Sequence, residues 1–245
     1  MAQLKMLISH EHRLIYVWVP KCGSSTMFQI FQALVGVPKG AEIRRVEVTD
    51  VFLSDHNAAR VQVKWSKIDE FEARYPDYRW ITIVRNPYAR LLSAYHNKID
   101  RFAVKIMPER CADIADKIAS AREQYVDFPL LRRKLHKRIS LDDMIEGLLE
   151  NGTRFDAHFE TQSRHLHPNR VTYDHVFKLE TFDQDILEYL AKIDVPADVI
   201  ARISKIPRRN RSRTIWFTKP KMNEAQRQRV FDIYRDDFSI FSYEQ

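Results

Sequence analysis

Pro20-Lys21-Cys22-Gly23-Ser24-Ser25-Thr26 brings a cation, a glycine and three hydroxyls together in consecutive positions. That set suits an anion. Lysine supplies a full positive charge, and glycine lets the backbone bend close to a ligand. If a helix begins here, its first amides lack carbonyl partners and its dipole favours negative charge at that end. The stretch is a candidate cradle for a phosphate or phosphosulfate. It is not a Walker A loop, which needs Gly-Lys followed by Ser or Thr. None of the five glycines (Gly23, Gly36, Gly40, Gly147 and Gly152) precedes a lysine. An ATPase or kinase of that type is thereby disfavoured.

A second constellation is Arg85-Asn86-Pro87-Tyr88-Ala89-Arg90-Leu91-Leu92-Ser93-Ala94-Tyr95. Arginine meets phosphate oxygens with a rigid fork of donors. On a helix starting at Pro87, Ser93 falls on a face near Arg90. Arg85 would leave the carboxyl end of a strand, where open α/β sheets bind ligands. The plainer reading is an N-capped helix whose arginines pair with surface acids.

These residues need strands and helices to position them. Leu14-Ile15-Tyr16-Val17-Trp18-Val19 is continuously apolar, β-branched and aromatic, as expected of a strand buried on both faces. Thr26 to Leu34 follows with helical spacing, placing Met27, Ile30, Phe31 and Leu34 on one face. Val61-Gln62-Val63 alternates like a strand, and Ser66 with Asp69 reads as a capping box opening a helix to about Tyr75. Trp80 to Val84 is a second strong strand. Asn86 as cap and Pro87 as first helical residue then open a helix to about Arg101.

Residues 103–139 are charged and helical in pattern, with Arg132-Arg133-Lys134 and His136-Lys137-Arg138 close together. They read as an insertion, either a solvated face or a binding surface. Ser140 caps a helix that stops at Gly152. Val171 to Leu179 holds a third strand, Thr181 caps a helix to Ile193, and Pro207 to Arg213 is a basic turn. Asn223 to about Asp237 is a final amphipathic helix. Strands alternating with helices predict a P-loop-like, three-layer α/β fold: a central, mainly parallel sheet flanked by helices, in a single domain over 1–245.

With 245 residues, 44% of them apolar, the chain can fill one sizeable core. Lys and Arg exceed Asp and Glu by 40 − 33 = 7. A basic balance suits a nucleotide, an acidic glycan, nucleic acid or an acidic membrane surface, or no special partner at all. The two cysteines, Cys22 and Cys111, are too few for a secreted disulfide scaffold. There is no Cys-x-x-Cys, and His165 with His167 is too small a cluster for zinc, so no metal is expected. No apolar run nears the roughly 18 residues that span a bilayer. No signal-peptide pattern opens the chain. The sequence reads as cytoplasmic, or as a chain trimmed of its anchor.

Pro20 to Ser25 resembles the 5′-phosphosulfate loop of sulfotransferases that use 3′-phosphoadenosine 5′-phosphosulfate (PAPS), and Arg85 to Tyr95 resembles their 3′-phosphate motif. Further similarity runs through Asp156-Ala157-His158-Phe159, Tyr173-Asp174, Lys178-Leu179-Glu180-Thr181 and Tyr234 to Tyr243. These resemble the carbohydrate sulfotransferase branch that includes the HNK-1 and chondroitin 4-O enzymes. The resemblance implies that Lys21, Cys22, Gly23, Ser24, Ser25 and Thr26 hold the 5′-phosphosulfate. It implies that Arg85 and Ser93 hold the 3′-phosphate, with Arg211, Ser212 and Arg213 closing over the nucleotide. It further implies a glycan or glycolipid hydroxyl as acceptor, and no nucleic acid. The animal enzymes carry a cysteine pair where Leu166 and Asn169 stand here, and a membrane anchor ahead of the catalytic domain. Those departures put Golgi residence, and with it an animal glycan acceptor, in question.

Sulfuryl transfer is expected to proceed in line, through a loose transition state, with catalysis mainly by positioning and charge stabilisation. Lys21 would stabilise charge on the transferring group and the leaving phosphate. A base must take the acceptor proton, and histidine titrates closest to neutrality. Two of the nine histidines qualify by the resemblance. His158 lies in a family-like motif. His56, in Ser54-Asp55-His56, lies between the two anion motifs and is slightly favoured. Asp156 or Asp55 could orient its neighbour. Either histidine could instead be structural. A nucleotide kinase with an atypical phosphate loop, or a non-catalytic basic glycan- or nucleic-acid-binding protein, are the alternatives.

Overall fold

Residues 3–36, 45–47, 58–97, 140–154, 156–206 and 222–245 are described in the computed structural model of the chain. Six strands form one sheet: β1 Gln3–Ser9, β2 Leu14–Val17, β3 Arg45–Glu47, β4 Ala58–Lys64, β5 Arg79–Val84 and β6 His175–Lys178. Their order across the sheet is β3-β4-β1-β2-β5-β6. β2, β5 and β6 pair in parallel, as do β3 and β4. β1 pairs antiparallel with both β2 and β4. The sheet is thus mainly parallel, as expected, with one exception. Five strands share a direction, but β1, which the sequence reading did not anticipate, runs against them near the middle.

The reason β1 fits there is burial on both faces. Leu4, Met6 and Ile8 on one side, and Leu7 on the other, are all at most 1% exposed. β2 is buried at every position, as its continuous apolar run required. The Thr82 hydroxyl donates to the Val17 carbonyl at 2.8 Å, tying β5 to the last residue of β2. The Leu179 amide donates to the Val84 carbonyl at 2.8 Å, tying the end of β5 to the residue after β6. Parallel pairing puts the carboxyl ends of β2, β5 and β6 at one edge of the sheet.

The chain divides into two compact units, Met1–Val84 with His165–Trp216, and Arg85–Arg164 with Phe217–Gln245. The whole sheet belongs to the first. Its helices are α1 Ser24–Leu34, α2 Ile68–Arg74, and, later in the chain, Phe182–Lys192 and Ala197–Ile203. α1 buries Met27, Ile30, Phe31 and Leu34, the face its spacing predicted. The Ser66–Asp69 capping box does not form. Trp65–Lys67 is instead a 3₁₀ turn, and α2 starts one residue later behind Lys67, which makes no side-chain cap. Thr181 does stand at the start of its helix, but its hydroxyl donates to the Asp185 carboxylate rather than capping a backbone amide.

The second unit is helical: α3 Pro87–Tyr95, α4 Leu141–Asn151, α8 Glu224–Ile233 and α9 Arg235–Ile240, where α6 and α7 are the two late helices of the first unit. Between them in sequence, α5 Gln162–Leu166 starts in the second unit. Asn86 caps α3 as predicted, its side-chain oxygen accepting from the Tyr88 and Ala89 amides at 3.1 and 3.3 Å. Ser140 and Asp143 close a full capping box on α4. The last expected helix is in fact two, broken at Tyr234. Tyr88, Leu91, Met144, Leu148, Phe159, Val230, Tyr234 and Phe238 make this unit's core. The continuation of α3 to Arg101, the charged insertion at 103–139 and the basic turn at 207–213 lie outside the described residues.

Candidate active site

The chain leaves β2 through Trp18 and Val19 and turns at Pro20. Lys21 and Gly23 both adopt left-handed backbone, with φ of 70° and 79°. That conformation is routine for glycine and strained for lysine. A Cβ at Gly23 would also come within 2.7 Å of Leu179 Cδ1, so that side chain would have to shift to admit one. The Gly23 carbonyl accepts from the amides of Thr26 at 2.9 Å and Met27 at 3.1 Å, which starts α1. No side chain caps that helix, and its first turn holds no acidic residue. No acidic residue of the helix's own first turn therefore offsets the positive pole at the amino end of α1. Lys21 and Ser24 are partly exposed and Ser25 is exposed, while Thr26 is buried. Cys22 is wholly buried beneath the turn, with its thiol aimed at the Pro20 carbonyl.

Arg85 follows β5 directly and is partly exposed. Its backbone is gripped from both sides by one residue. The Arg85 amide donates to Gln162 Oε1 at 2.8 Å, and Gln162 Nε2 donates to the Arg85 carbonyl at 2.8 Å. Gln162 is itself fully buried. The amides of Gln162 and Ser163 donate to the two oxygens of the Asp237 carboxylate, each at 2.8 Å. Asp237 has no exposure. Burial raises its pKa, opposed by the amide hydrogen bonds from Ser163 and Gln162 and by the nearby Arg90 charge. Two further clamps act just upstream. Tyr234 donates its hydroxyl to the Phe159 carbonyl at 2.7 Å, and Arg90 Nη1 donates to the Glu160 carbonyl at 2.8 Å. Arg90 is 2% exposed, so it serves as internal scaffolding. Ser93 lies on α3, partly exposed.

His158 immediately precedes the clamped segment. Its Nδ1 lies 2.7 Å from Asp156 Oδ1, which also accepts from the His158 backbone amide at 2.7 Å. The two side chains retain 29% and 23% exposure. A carboxylate on Nδ1 fixes the ring and leaves Nε2 as the nitrogen able to accept a proton. His56, Arg211, Ser212 and Arg213 lie outside the described residues. Among the described residues, no group of three or more His, Cys, Asp or Glu side chains is placed to hold a metal ion. No helix among them is long and apolar enough to cross a membrane.

The model of the Sulfotransferase family matches residues 4–244. The chain belongs to the sulfotransferase family. Carbohydrate sulfotransferase 11 of Rattus norvegicus is 25% identical over 243 residues, covering 97% of this chain and 66% of that protein. Carbohydrate sulfotransferase 9 of Homo sapiens is 25% identical over 251 residues, 98% of this chain and 53% of that protein. Carbohydrate sulfotransferase 12 of Mus musculus is 25% identical over 266 residues, 97% and 59% respectively. The chain therefore spans between 53% and 66% of the length of these three relatives. No solved structure matches it.

Within this member of the family, the family-like segments acquire physical roles. Leu179, from Lys178-Leu179-Glu180-Thr181, packs where Gly23 has no side chain. Asp174, from Tyr173-Asp174, accepts the Trp80 amide at 2.7 Å at the start of β5. Tyr234 and Asp237 hold the 159–163 segment. Gln162 was missed in the sequence. It has no charge and no motif of its own, and its partner Arg85 is 77 positions away. The one available signal was its place three residues beyond the family-like Asp156-Ala157-His158-Phe159.

Proposed function

We propose that this sulfotransferase moves a sulfuryl group from PAPS to a hydroxyl of a glycan or glycolipid. The observation that carries the reading is the turn at 20–26. It offers a lysine, three hydroxyls and the uncapped amino end of a helix, with no acid in that helix's first turn. This donor set fits a phosphosulfate. Lys21, Gly23, Ser24, Ser25 and Thr26 bind the 5′-phosphosulfate end, and Arg85 with Ser93 binds the 3′-phosphate. The names of the relatives support a carbohydrate acceptor.

In the transfer, the acceptor oxygen bonds to sulfur as the bond from sulfur to the phosphate oxygen breaks. Adenosine 3′,5′-bisphosphate leaves, and the acceptor proton passes to a histidine. Lys21 offsets the charge that grows on the leaving phosphate. The Asp156 carboxylate on Nδ1 supports His158 as the base, since it holds the ring and leaves Nε2 free of that contact to face an acceptor. His56 remains the other candidate on the resemblance alone.

The test is transfer of radiolabelled sulfate from PAPS to a panel of glycans, glycolipids and small alcohols, beside calorimetry with adenosine 3′,5′-bisphosphate. A labelled carbohydrate and measurable heat are expected. His158→Ala is expected to abolish transfer while leaving nucleotide binding intact. No heat with the bisphosphate, or a preference for ATP with magnesium, ends the sulfotransfer reading. Full turnover by His158→Ala moves the base to His56.

A further inference from the structure

Arg85 is held by a chain of buried contacts that does not itself present charge to a ligand. Gln162 satisfies both the amide and the carbonyl of Arg85, each at 2.8 Å, as a neighbouring strand would. β6 reaches only as far as the end of β5: its pairing closes with Val84 opposite Lys178, and the Leu179 amide takes the Val84 carbonyl. The Gln162 amide, and that of Ser163, are fixed by the two oxygens of fully buried Asp237. Tyr234 and Arg90 pin the carbonyls of Phe159 and Glu160 just before it. The bonds that Gln162, Asp237, Tyr234 and Arg90 make here all lie within the second unit, and their members come from three separated stretches of chain.

Such a network is poorly suited to tolerate change. A buried amide side chain that loses one partner leaves a polar group unsatisfied. A side chain reaching a ligand from Arg85 inherits its aim from the Arg85 backbone, and small misplacements at a binding group are costly. Plain packing needs an apolar residue at Gln162. A doubly hydrogen-bonded glutamine sets the orientation of the peptide it holds.

We propose that Gln162, seated on Asp237, is a positioning residue that aims Arg85 at the 3′-phosphate of the donor and thereby sets the protein's discrimination between 3′-phosphorylated and unphosphorylated adenosine nucleotides. This rests on the reading of Arg85 as the 3′-phosphate residue. Gln162 acts through Arg85 and touches no reacting atom.

The experiment is calorimetric titration of the full chain and its variants with adenosine 3′,5′-bisphosphate and with adenosine 5′-monophosphate, with a thermal melt of each protein. Wild type is expected to prefer the bisphosphate. Gln162→Ala is expected to weaken the bisphosphate by about tenfold and the monophosphate by less than about twofold. Gln162→Glu is isosteric, so it keeps the acceptor for the Arg85 amide and loses the donor to the Arg85 carbonyl. It should fall between wild type and alanine, and it carries the test if the alanine variant does not fold. Adding Gln162→Ala to Arg85→Ala should cost the bisphosphate nothing more than Arg85→Ala alone, because the effect is routed through that side chain. A wild type with no preference for the bisphosphate removes the reading beneath the proposal. A wild type with a preference that survives in Gln162→Ala or Gln162→Glu, or one in which both ligands weaken equally as the melting temperature falls, overturns the proposal and leaves that reading standing.

Discussion

After β2, the chain is shaped by its own dihedrals: Lys21 and Gly23 are left-handed, and the glycine's missing side chain makes room for Leu179. After β5, the shape comes from outside. Arg85 is held by a glutamine 77 positions away, itself held by an aspartate 75 positions further on. The first device is local and strained. The second is nonlocal and relaxed, and depends on burial. A turn that stores strain fails when its backbone preference changes. A bracket of buried bonds fails when any one partner is removed.

Replacing Lys21 separates charge from strain in the first device. Lys21→Ala keeps the left-handed strain and loses the cation. Sulfate transfer should fall by about 10²- to 10³-fold, as for loss of a donor that stabilises transition-state charge. Lys21→Gly loses the cation equally but relaxes the backbone. It should transfer as poorly as the alanine variant and yet be more stable by about 1 kcal/mol, and so melt at a higher temperature. Equal melting temperatures for the two variants would mean that the turn is not strained.

That contrast also explains what could be read from residue order. The strand Leu14 to Val17, the helix behind Gly23, the Asn86 cap and the Ser140 box all followed from patterns within a few residues. β1 escaped notice because it pairs antiparallel on both sides, which a strand-helix-strand rhythm does not announce. The box expected at Ser66 lost to a 3₁₀ turn at Trp65–Lys67. The last helix was read as unbroken because nothing local marks Tyr234. Its backbone departs from helical values at the residue whose hydroxyl reaches Phe159. Of the candidate site, the glycine turn and Arg85 were legible as motifs. Gln162, Asp237 and the scaffolding role of Arg90 were not, since each is defined by a partner at least 70 positions away.

The second device is probed more gently at its rim. Tyr234→Phe removes a single hydroxyl and leaves the buried Phe159 carbonyl without that donor. Chemical denaturation should show a loss of about 1 to 2 kcal/mol, with the core otherwise repacked around an equivalent ring. No change would mean that the bracket does not need this clamp.

The smallest effect is expected from acid. Because burial raises the folded pKa of Asp237 above 3.8, the folded protein still holds this proton where the unfolded chain has released it. Its contribution to stability is therefore full below 3.8 and declines as pH rises through the elevated value. The stability difference between wild type and Asp237→Asn, followed by denaturant titration across that window, should shift against wild type as pH rises. A difference that is flat, or that runs the other way, would show that the amide hydrogen bonds outweigh burial at this carboxylate.

The sulfur of Cys22 has one more use. It sits under the turn at 20–26, with no exposure, pointing at the Pro20 carbonyl. An alkylating reagent can reach it only when that turn lifts from the sheet, so the rate of its modification is a built-in clock for loop opening. A nucleotide seated on the turn would slow the clock, and occupancy could be followed by mass spectrometry with no label, acceptor or turnover.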